Sequence, residues 1–283
     1  MDNMQQNTPE WLQMRKNKIG ASDAPVIMEV SPWKTPYQLW EEKNDLAPKR
    51  AESSSMRRGL DLEESARLEL EKMTGIFFLP RIKQHTSFSW MIASLDGIDA
   101  ESKHIAEIKC PGAVDHQKAL HGQIPEKYFP QLQHQLEVCE LDMSYYFSFD
   151  GSSGAIVKVY RDDKYIKKML EKEQAFWQCL QEFMPPKMTA RDFEVKTDEA
   201  WACQAIEWTK INEQLRILEQ KEEALRKSLI AMSNNKNSMG SGVKVSRFIR
   251  KGNIDYTSIP ELKEVNLEVY RKKPTEFWKI TSS

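Results

Sequence analysis

The chain has 283 residues, of which 40% are hydrophobic, 10% aromatic and 29% charged. It can therefore bury a sizeable core, in one large domain or one domain plus an appendage, and is not a disordered tail. With 41 basic and 42 acidic residues the formal charge is −1, which excludes an overall basic footprint for nucleic acid but not a local patch. The longest apolar run, 76–79, is far short of the roughly 20 residues of a membrane span, and residues 1–20 lack the apolar middle of a signal peptide. A cytoplasmic chain with no membrane partner is expected.

Residues 11–19 read as a helix. Gly20-Ala21-Ser22-Asp23 then opens a second short helix with Ser22 as its N-cap, and Ser31-Pro32-Trp33-Lys34-Thr35-Pro36 interrupts it. A helix resumes over 37–42, 44–55 is a polar loop, and 56–74 carries Leu62, Ala66, Leu70 and Met73 on one buried helical face. The pattern turns to strands over 76–80, 86–94 and 104–109, with turns at Asp96-Gly97 and near Glu101-Ser102-Lys103. A helix over about 125–140, a strand over 145–150, the Gly151-Ser152-Ser153-Gly154 turn and a strand over 155–160 follow. A long helix over 162–182 is ended by Pro185-Pro186. This order predicts an α/β fold with a mixed central sheet flanked by helices. Trp40 and Trp90 are assigned to the core, and Trp33 also, ahead of a role stacking on a base.

After Pro186 the character changes. Residues 1–187 read as one domain, 188–197 as a linker and 198–283 as a C-terminal extension built from a helical arm, a β-hairpin and a tail. Trp201, Trp208, Leu215 and Leu229, with Ile211, Leu218, Leu225 and Met232, occupy a and d positions of one heptad frame, which Gln204 and Glu222 break. The frame suits an intermolecular coiled coil and an intramolecular arm equally. Residues 234–242 read as a flexible loop and 243–256 as a hairpin around Lys251-Gly252-Asn253. Lys244, Arg247, Arg250 and Lys251 make that hairpin basic, which suits either a solvated edge or phosphate contacts.

Cys110, Cys139, Cys179 and Cys203 form no CxxC pair and the five histidines no HExxH motif, so zinc-finger, redox and histidine–metal chemistry are not expected. His134 is read as structural or surface-exposed rather than as a general base. Carboxylates carry the chemistry. Side chains alternate along a strand, so Glu107 and Lys109 share one face and Ile108 points into the core. Asp96 stands at the neighbouring strand end. Two hard carboxylates converging on one point suit Mg²⁺, and a lysine beside them suits a water or phosphate oxygen. Alone, the pattern suits a solvated strand with a surface ion pair better than a metal site. Glu63, on the preceding helix, is either an i,i+4 partner of Arg67 or a further carboxylate of the same site.

Arg15 with Gly20-Ala21-Ser22-Asp23, the 31–36 segment, Arg58-Gly59 with Glu63, Ser94-Leu95-Asp96-Gly97, Glu107-Ile108-Lys109-Cys110-Pro111, and Tyr128 with Gln131-Leu132-Gln133 occur in one order along the chain. Over residues 8–183 this order resembles the YqaJ-type viral recombinase family, which includes the lambda exonuclease and belongs to the PD-(D/E)xK nucleases. Leu95 departs mildly from the family pattern, in which proline commonly precedes the aspartate. The resemblance implies a restriction-endonuclease-like core. It also implies a Mg²⁺-dependent 5′-to-3′ exonuclease, with two ions and Mn²⁺ as a substitute, that degrades one strand of linear double-stranded DNA and leaves a 3′ overhang for phage-type recombination.

In that reading Glu63, Asp96, Glu107 and the Ile108 carbonyl are metal ligands, and Lys109 positions or activates the attacking water. Gln131 touches water or substrate, Tyr128 supports the site, and Arg15 with Ser22 receives the 5′ phosphate. The implied partners are a RecT- or beta-type single-strand annealing protein and further copies of the chain in a trimeric or tetrameric ring. A structure- or site-selective endonuclease and a non-catalytic DNA-end binder are the competing functions.

Overall fold

The computed structural model describes residues 8–47, 54–262, 265, 267–270, 272, 275 and 278–281. Part of the polar loop expected at 44–55 and part of the tail lie outside the described residues. The chain divides into two compact units, Met1–Glu194 and Val195–Ser283.

In the first unit, α1 (Pro9–Lys16) starts at Thr8, whose hydroxyl accepts from the Trp11 amide at 3.3 Å, with Pro9 at the first helical position. The short strand β1 (Ile19–Gly20) follows at once. Sequence patterning carries the first helix through Ile19 and starts the next at Gly20, because a two-residue strand has no period to read; its pairing with a distant strand defines it. A single 3₁₀ turn over Ala21–Asp23 leads into α2 (Ala24–Ile27). Gly20, not Ser22, holds the cap position of that turn, and Asp23 accepts from the Gly20 amide at 2.9 Å. α3 (Pro36–Lys43) opens with a reciprocal capping box between Thr35 and Gln38, and α4 (Ser54–Thr74) follows.

The strands are β2 (Leu79–Gln84), β3 (Met91–Ile98), β4 (Ile105–Lys109), β5 (Met143–Phe149) and β6 (Gly154–Tyr160). The helices among and after them are α5 (Ala113–Leu120), α6 (Phe129–Cys139) and α7 (Asp163–Gln181). The sheet runs β1-β3-β4-β5-β6, with β2 also paired to β3. The β1–β3 and β4–β5 pairs are parallel and the others antiparallel, so the sheet is mixed. Asp96-Gly97 was expected to turn but lies inside β3; the turn comes at 99–104, where Asp99 accepts from the Lys103 and His104 amides. Glycine is needed at position 97 for space rather than for a turn, because a Cβ there would stand 2.8 Å from Phe78 Cβ.

Alternation divides the core. Ala106, Ile108, Tyr145, Phe147 and Phe149 pack with Ala66 and Leu70 of α4, whereas Tyr146, Val157 and Val159 face Ala119 of α5 and Leu132 of α6. A third cluster joins Met91, Ala93 and Leu95 of β3 to α2, α6 and α7. Trp40 and Trp90 are buried as expected.

α6 enters this core with polar side chains, each of which reaches a partner. Gln133 donates to the Tyr160 carbonyl at 2.9 Å and accepts from the Asp162 amide at 2.8 Å. His134 is fully buried, with Nδ1 2.8 Å from Glu173 of α7 and Nε2 2.9 Å from the Ile92 carbonyl of β3. It is structural, as the sequence suggests. Burial pushes the imidazole pKa down, but the Glu173 carboxylate and these hydrogen bonds carry it above its ordinary value.

The second unit contains α8 (Glu199–Met232) and a hairpin of β7 (Ser238–Gly240) and β8 (Val243–Val245). This hairpin turns at Ser241-Gly242, where both residues have positive φ; the one expected around Lys251-Gly252-Asn253 is absent, and 246–255 holds no strand. The turn forms where two residues accept a left-handed backbone.

Two measurements check this arrangement. Gly97→Ala should cost about 1–3 kcal/mol in chemical denaturation, because Phe78 must move out of a packed position. The stability that protonated His134 supplies should be complete below its unfolded pKa of about 6.5 and be lost as pH rises through the raised folded value. His134→Ala, which leaves Glu173 buried without its partner, should cost about 3–5 kcal/mol near pH 6 and flatten that pH dependence.

Candidate active site

The β3–β4 ladder contains only the pairs Gly97↔Ala106 and Ile98↔Ile105. Beyond them the two strands part. The Ile108 amide, which would otherwise continue the ladder, donates to Asp96 Oδ2 at 2.8 Å. N–H and C=O of one strand residue face the same neighbour, so the Ile108 carbonyl also turns toward the Asp96 side.

The parallel register Glu107↔Tyr146 and Lys109↔Ser148 puts these four residues on the α6 side of the sheet. Glu107 is 1% exposed. Its Oε1 accepts from Gln131 Nε2 at 2.6 Å and lies 2.5 Å from Lys109 Nζ, and its Oε2 accepts from Gln135. Gln131 and Gln135 are one turn apart on α6, so a single helix face supplies both donors. Sequence reasoning missed Gln135; the i,i+4 spacing from Gln131 is the signal that points to it. Lys109 Nζ also lies 5.5 Å from the centre of the Tyr128 ring, which stacks on Tyr146.

Two carboxylates and one ammonium leave the site with negative charge in excess. Burial, and after it the Glu107 carboxylate, raise the Asp96 pKa well above the usual range; Lys109 and the Ile108 amide oppose this, and Glu63 adds a weaker push from α4. Burial alone would lower the Lys109 pKa, but Glu107 and Asp96 raise it. Lys109 is therefore held as an ammonium, a donor and a charge partner rather than a base.

Among the described residues no three carboxylate, histidine or cysteine side chains stand close enough together to hold one metal ion, so Glu63 does not join Asp96 and Glu107 in one ligand group. The donor set at Asp96 and Glu107 is all oxygen, and Lys109 compensates its charge only in part. This fits a hard cation such as Mg²⁺, which is commonly held by one or two carboxylates and completes its shell with water and phosphate. Glu63 is half-buried and acts on Asp96 through its charge.

Arg15 and Ser22 meet, with Arg15 Nη2 donating to Ser22 Oγ at 2.7 Å. Behind them Asp23 lies 2.8 Å from Lys43 Nζ and 3.6 Å from Arg15. Burial would raise the Asp23 carboxyl, yet Lys43 and Arg15 bring it down to about 2. Lys43 also donates to the Arg15 and Lys18 carbonyls, which fixes the backbone that leads into β1. The Arg15 guanidinium lies 4.8 Å from the centre of the Trp11 ring, and Trp11 Nε1 donates to Ser94 Oγ at 3.2 Å. Ser94 is two residues from Asp96 on β3, so a short chain of contacts ties the cationic pocket to the acidic one.

Trp33 is 59% exposed, contrary to its assignment to the core. Arg191 holds its loop by donating to the Ser31 and Pro32 carbonyls at 2.9 Å, and the Lys127 ammonium lies 4.7 Å from the Trp33 ring centre. Indole burial would have required the loop to turn inward; the Arg191 bonds hold it outward. His116, Ser148 and Asp150 also adjoin one another, at 2.8 Å from His116 Nδ1 to Ser148 Oγ and 3.7 Å from Nε2 to Asp150. Ser148 is fully buried, so this group fixes α5 to β5 and offers no accessible nucleophile.

Residues 10–142 match the model of the YqaJ-like viral recombinase domain. The chain is 30% identical over 181 residues to the uncharacterised protein YqaJ of Bacillus subtilis strain 168. That match covers 62% of this chain and 57% of the relative, little more than half of its length. Among solved structures, the alkaline exonuclease LHK-Exo of Laribacter hongkongensis matches with a TM-score of 0.54 at 24% identity, covering 62% of this chain and 94% of that one. Its complex with dAMP matches with a TM-score of 0.55 and the same identity and coverage. The shared architecture is the restriction-endonuclease-like fold. No helix among the described residues is long and apolar enough to cross a membrane.

The excess negative charge yields a prediction. Asp96→Asn removes one of two repelling carboxylates and should raise the stability of the metal-free protein by about 1 kcal/mol. Millimolar Mg²⁺ should raise the melting temperature of the unaltered chain and leave that of this variant unchanged, as read by differential scanning fluorimetry.

Proposed function

We propose that this protein is a Mg²⁺-dependent 5′-to-3′ exonuclease that degrades one strand of linear double-stranded DNA and leaves a 3′ single-stranded overhang for recombination by strand annealing. The observation that carries the proposal is the convergence of Asp96, Glu107 and Lys109 where β3 and β4 part. Asp96, Glu107 and the Ile108 carbonyl are the groups that would hold Mg²⁺, with Glu63 the candidate for a second ion. Bound there, Mg²⁺ supplies the charge that offsets the developing phosphorane and lowers the pKa of the attacking water.

The chain's own residues supply the rest. Lys109, kept protonated by its two carboxylate neighbours, donates to a non-bridging phosphate oxygen or to the nucleophile. Gln131 holds Glu107 in place and can release a hydrogen-bonding hand toward water. Tyr128 supports Lys109 through its ring face. Arg15 and the exposed Ser22 hydroxyl form a pocket for a terminal 5′ phosphate, which would sit beside a guanidinium only partly balanced by Asp23. Anchoring the strand end at a fixed distance from the acidic site favours release of short products from an end over internal cutting. The alkaline exonuclease fold supports the same reading, as does the dAMP bound by LHK-Exo. Through the family the proposal extends to a ring of three or four copies and to an annealing protein as partner.

The test is nucleotide release in Mg²⁺ from linear duplex DNA bearing a 5′ phosphate at one end and a 5′ hydroxyl at the other, with each strand labelled, beside a closed circle. Release from the phosphorylated 5′ end alone is expected. Lys109→Ala should slow release by roughly 10²–10³-fold, and Arg15→Ala should reduce the preference for phosphate. Cutting of the circle would identify an endonuclease, and end binding with no release in any metal a non-catalytic DNA-end binder.

A further inference from the structure

α8 is a 34-residue helix with no buried residue. Its heptad seam is apolar at Trp201, Trp208, Ile211, Leu215, Leu218 and Leu225, and apart from the half-buried Trp208 these side chains are 51–66% exposed. An uncovered seam of this length is energetically unfavourable in water, and the residues that interrupt it say what covers it.

We infer that α8 pairs with α8 of a second copy of this chain as an antiparallel coiled coil, in the register that sets Trp208 against Leu218 and Ile211 against Leu215. Three registers can be compared from the sequence alone. A parallel, in-register pair would bury Glu222 against its own copy and place Lys221 beside Arg226, two like-charge contacts. An antiparallel pair centred between Leu215 and Leu218 would bury the Glu222 carboxylate against Ile211 with no polar partner. Shifting that pair by one heptad sets Glu222 against Gln204, so the two residues that break the heptad frame fall in one layer and the amide can donate to the carboxylate. In this register the flanking g positions bring Glu207 beside Lys221, and by symmetry this ion pair forms twice. No like-charge contact arises at the e positions, where Glu219 meets Ala205 and Asn212 meets itself.

The hairpin adds shape to this charge match. A groove of about 800 Å³ runs between the C-terminal half of α8 and β8, lined by Leu218, Leu225, Leu229, Val243 and Val245 among others. The proposed register brings Trp201 of the second copy to Leu225, at this groove. The two tryptophans sit in the N-terminal half of the helix and the groove in its C-terminal half, and only an antiparallel arrangement brings them together.

Cross-linking in the full-length chain tests the register independently of any other self-association. In a Cys203→Ser background, Trp208→Cys is placed in one preparation and Leu218→Cys in another. Mild oxidation of the mixture should yield a disulfide-linked pair, and each preparation alone should not. Linkage within either preparation alone to the same extent as in the mixture, or no linkage in the mixture above that of the background, would overturn the inference. Sedimentation equilibrium supplies a second arm that keeps the tryptophans intact. Lys221→Glu should weaken self-association about tenfold, and adding Glu207→Lys should restore it. A double variant as weak as the single one, or a single variant that associates unchanged, would equally overturn it.

Discussion

The parting of β3 from β4 after Gly97 and Ala106 is the constraint on which the candidate site depends. An intact ladder would use the Ile108 amide and carbonyl in backbone pairing and would leave Asp96 a strand residue with no special task. Because the strands separate, the Asp96 carboxylate takes the Ile108 amide in place of a backbone carbonyl, and Glu107 and Lys109 stand beside it. Two acids are thereby held close, with one ammonium paired to Glu107. The raised Asp96 pKa is the energetic signature of that arrangement. Sites built to receive a cation commonly store such unbalanced charge at a cost to the stability of the protein without it.

α6 is what makes the arrangement affordable. Gln131 and Gln135 donate to Glu107, His134 bridges α7 and β3, and Gln133 clamps the end of β6. A helix that buries so many polar side chains is stable only when each finds a partner. The same bonds fix the carboxylate's orientation. On the other side of the site, the Arg15–Trp11–Ser94 contacts perform the corresponding task for the cationic pocket, with Asp23 and Lys43 holding the backbone beneath it.

The elements with a long period were legible in the sequence. The 56–74 helix, the 162–182 helix, the 104–109 strand and the heptad helix all emerge close to their expected bounds, although Met73 of the expected buried face is 47% exposed. Most of the misread segments take their conformation from partners distant in the chain. β1 exists only through its pairing with Met91 and Ile92, Asp96-Gly97 is drawn into a strand by β2 and β4, and α5 has too short an apolar pattern to stand out. Trp33 was assigned inward by its chemistry and is held outward by Arg191, 158 positions away. For the site, Asp96, Glu107 and Lys109 follow from alternation on strands, whereas Gln135 depends on which helix packs over them.

The sequence by itself determined the mixed α/β class, the order of the motifs, the sharing of one face by Glu107 and Lys109, and a heptad seam with polar breaks at Gln204 and Glu222. These are consequences of periodicity, which is a local property of the chain. Only the tertiary structure decided that β3 and β4 part where they do, that α6 rather than another helix faces Glu107, and that Arg15 reaches Ser22 beside the same strand. These depend on how separate elements pack, the local Arg15–Ser22 bond being placed beside β3 by the Trp11–Ser94 contact, and on the burial and charge that packing creates.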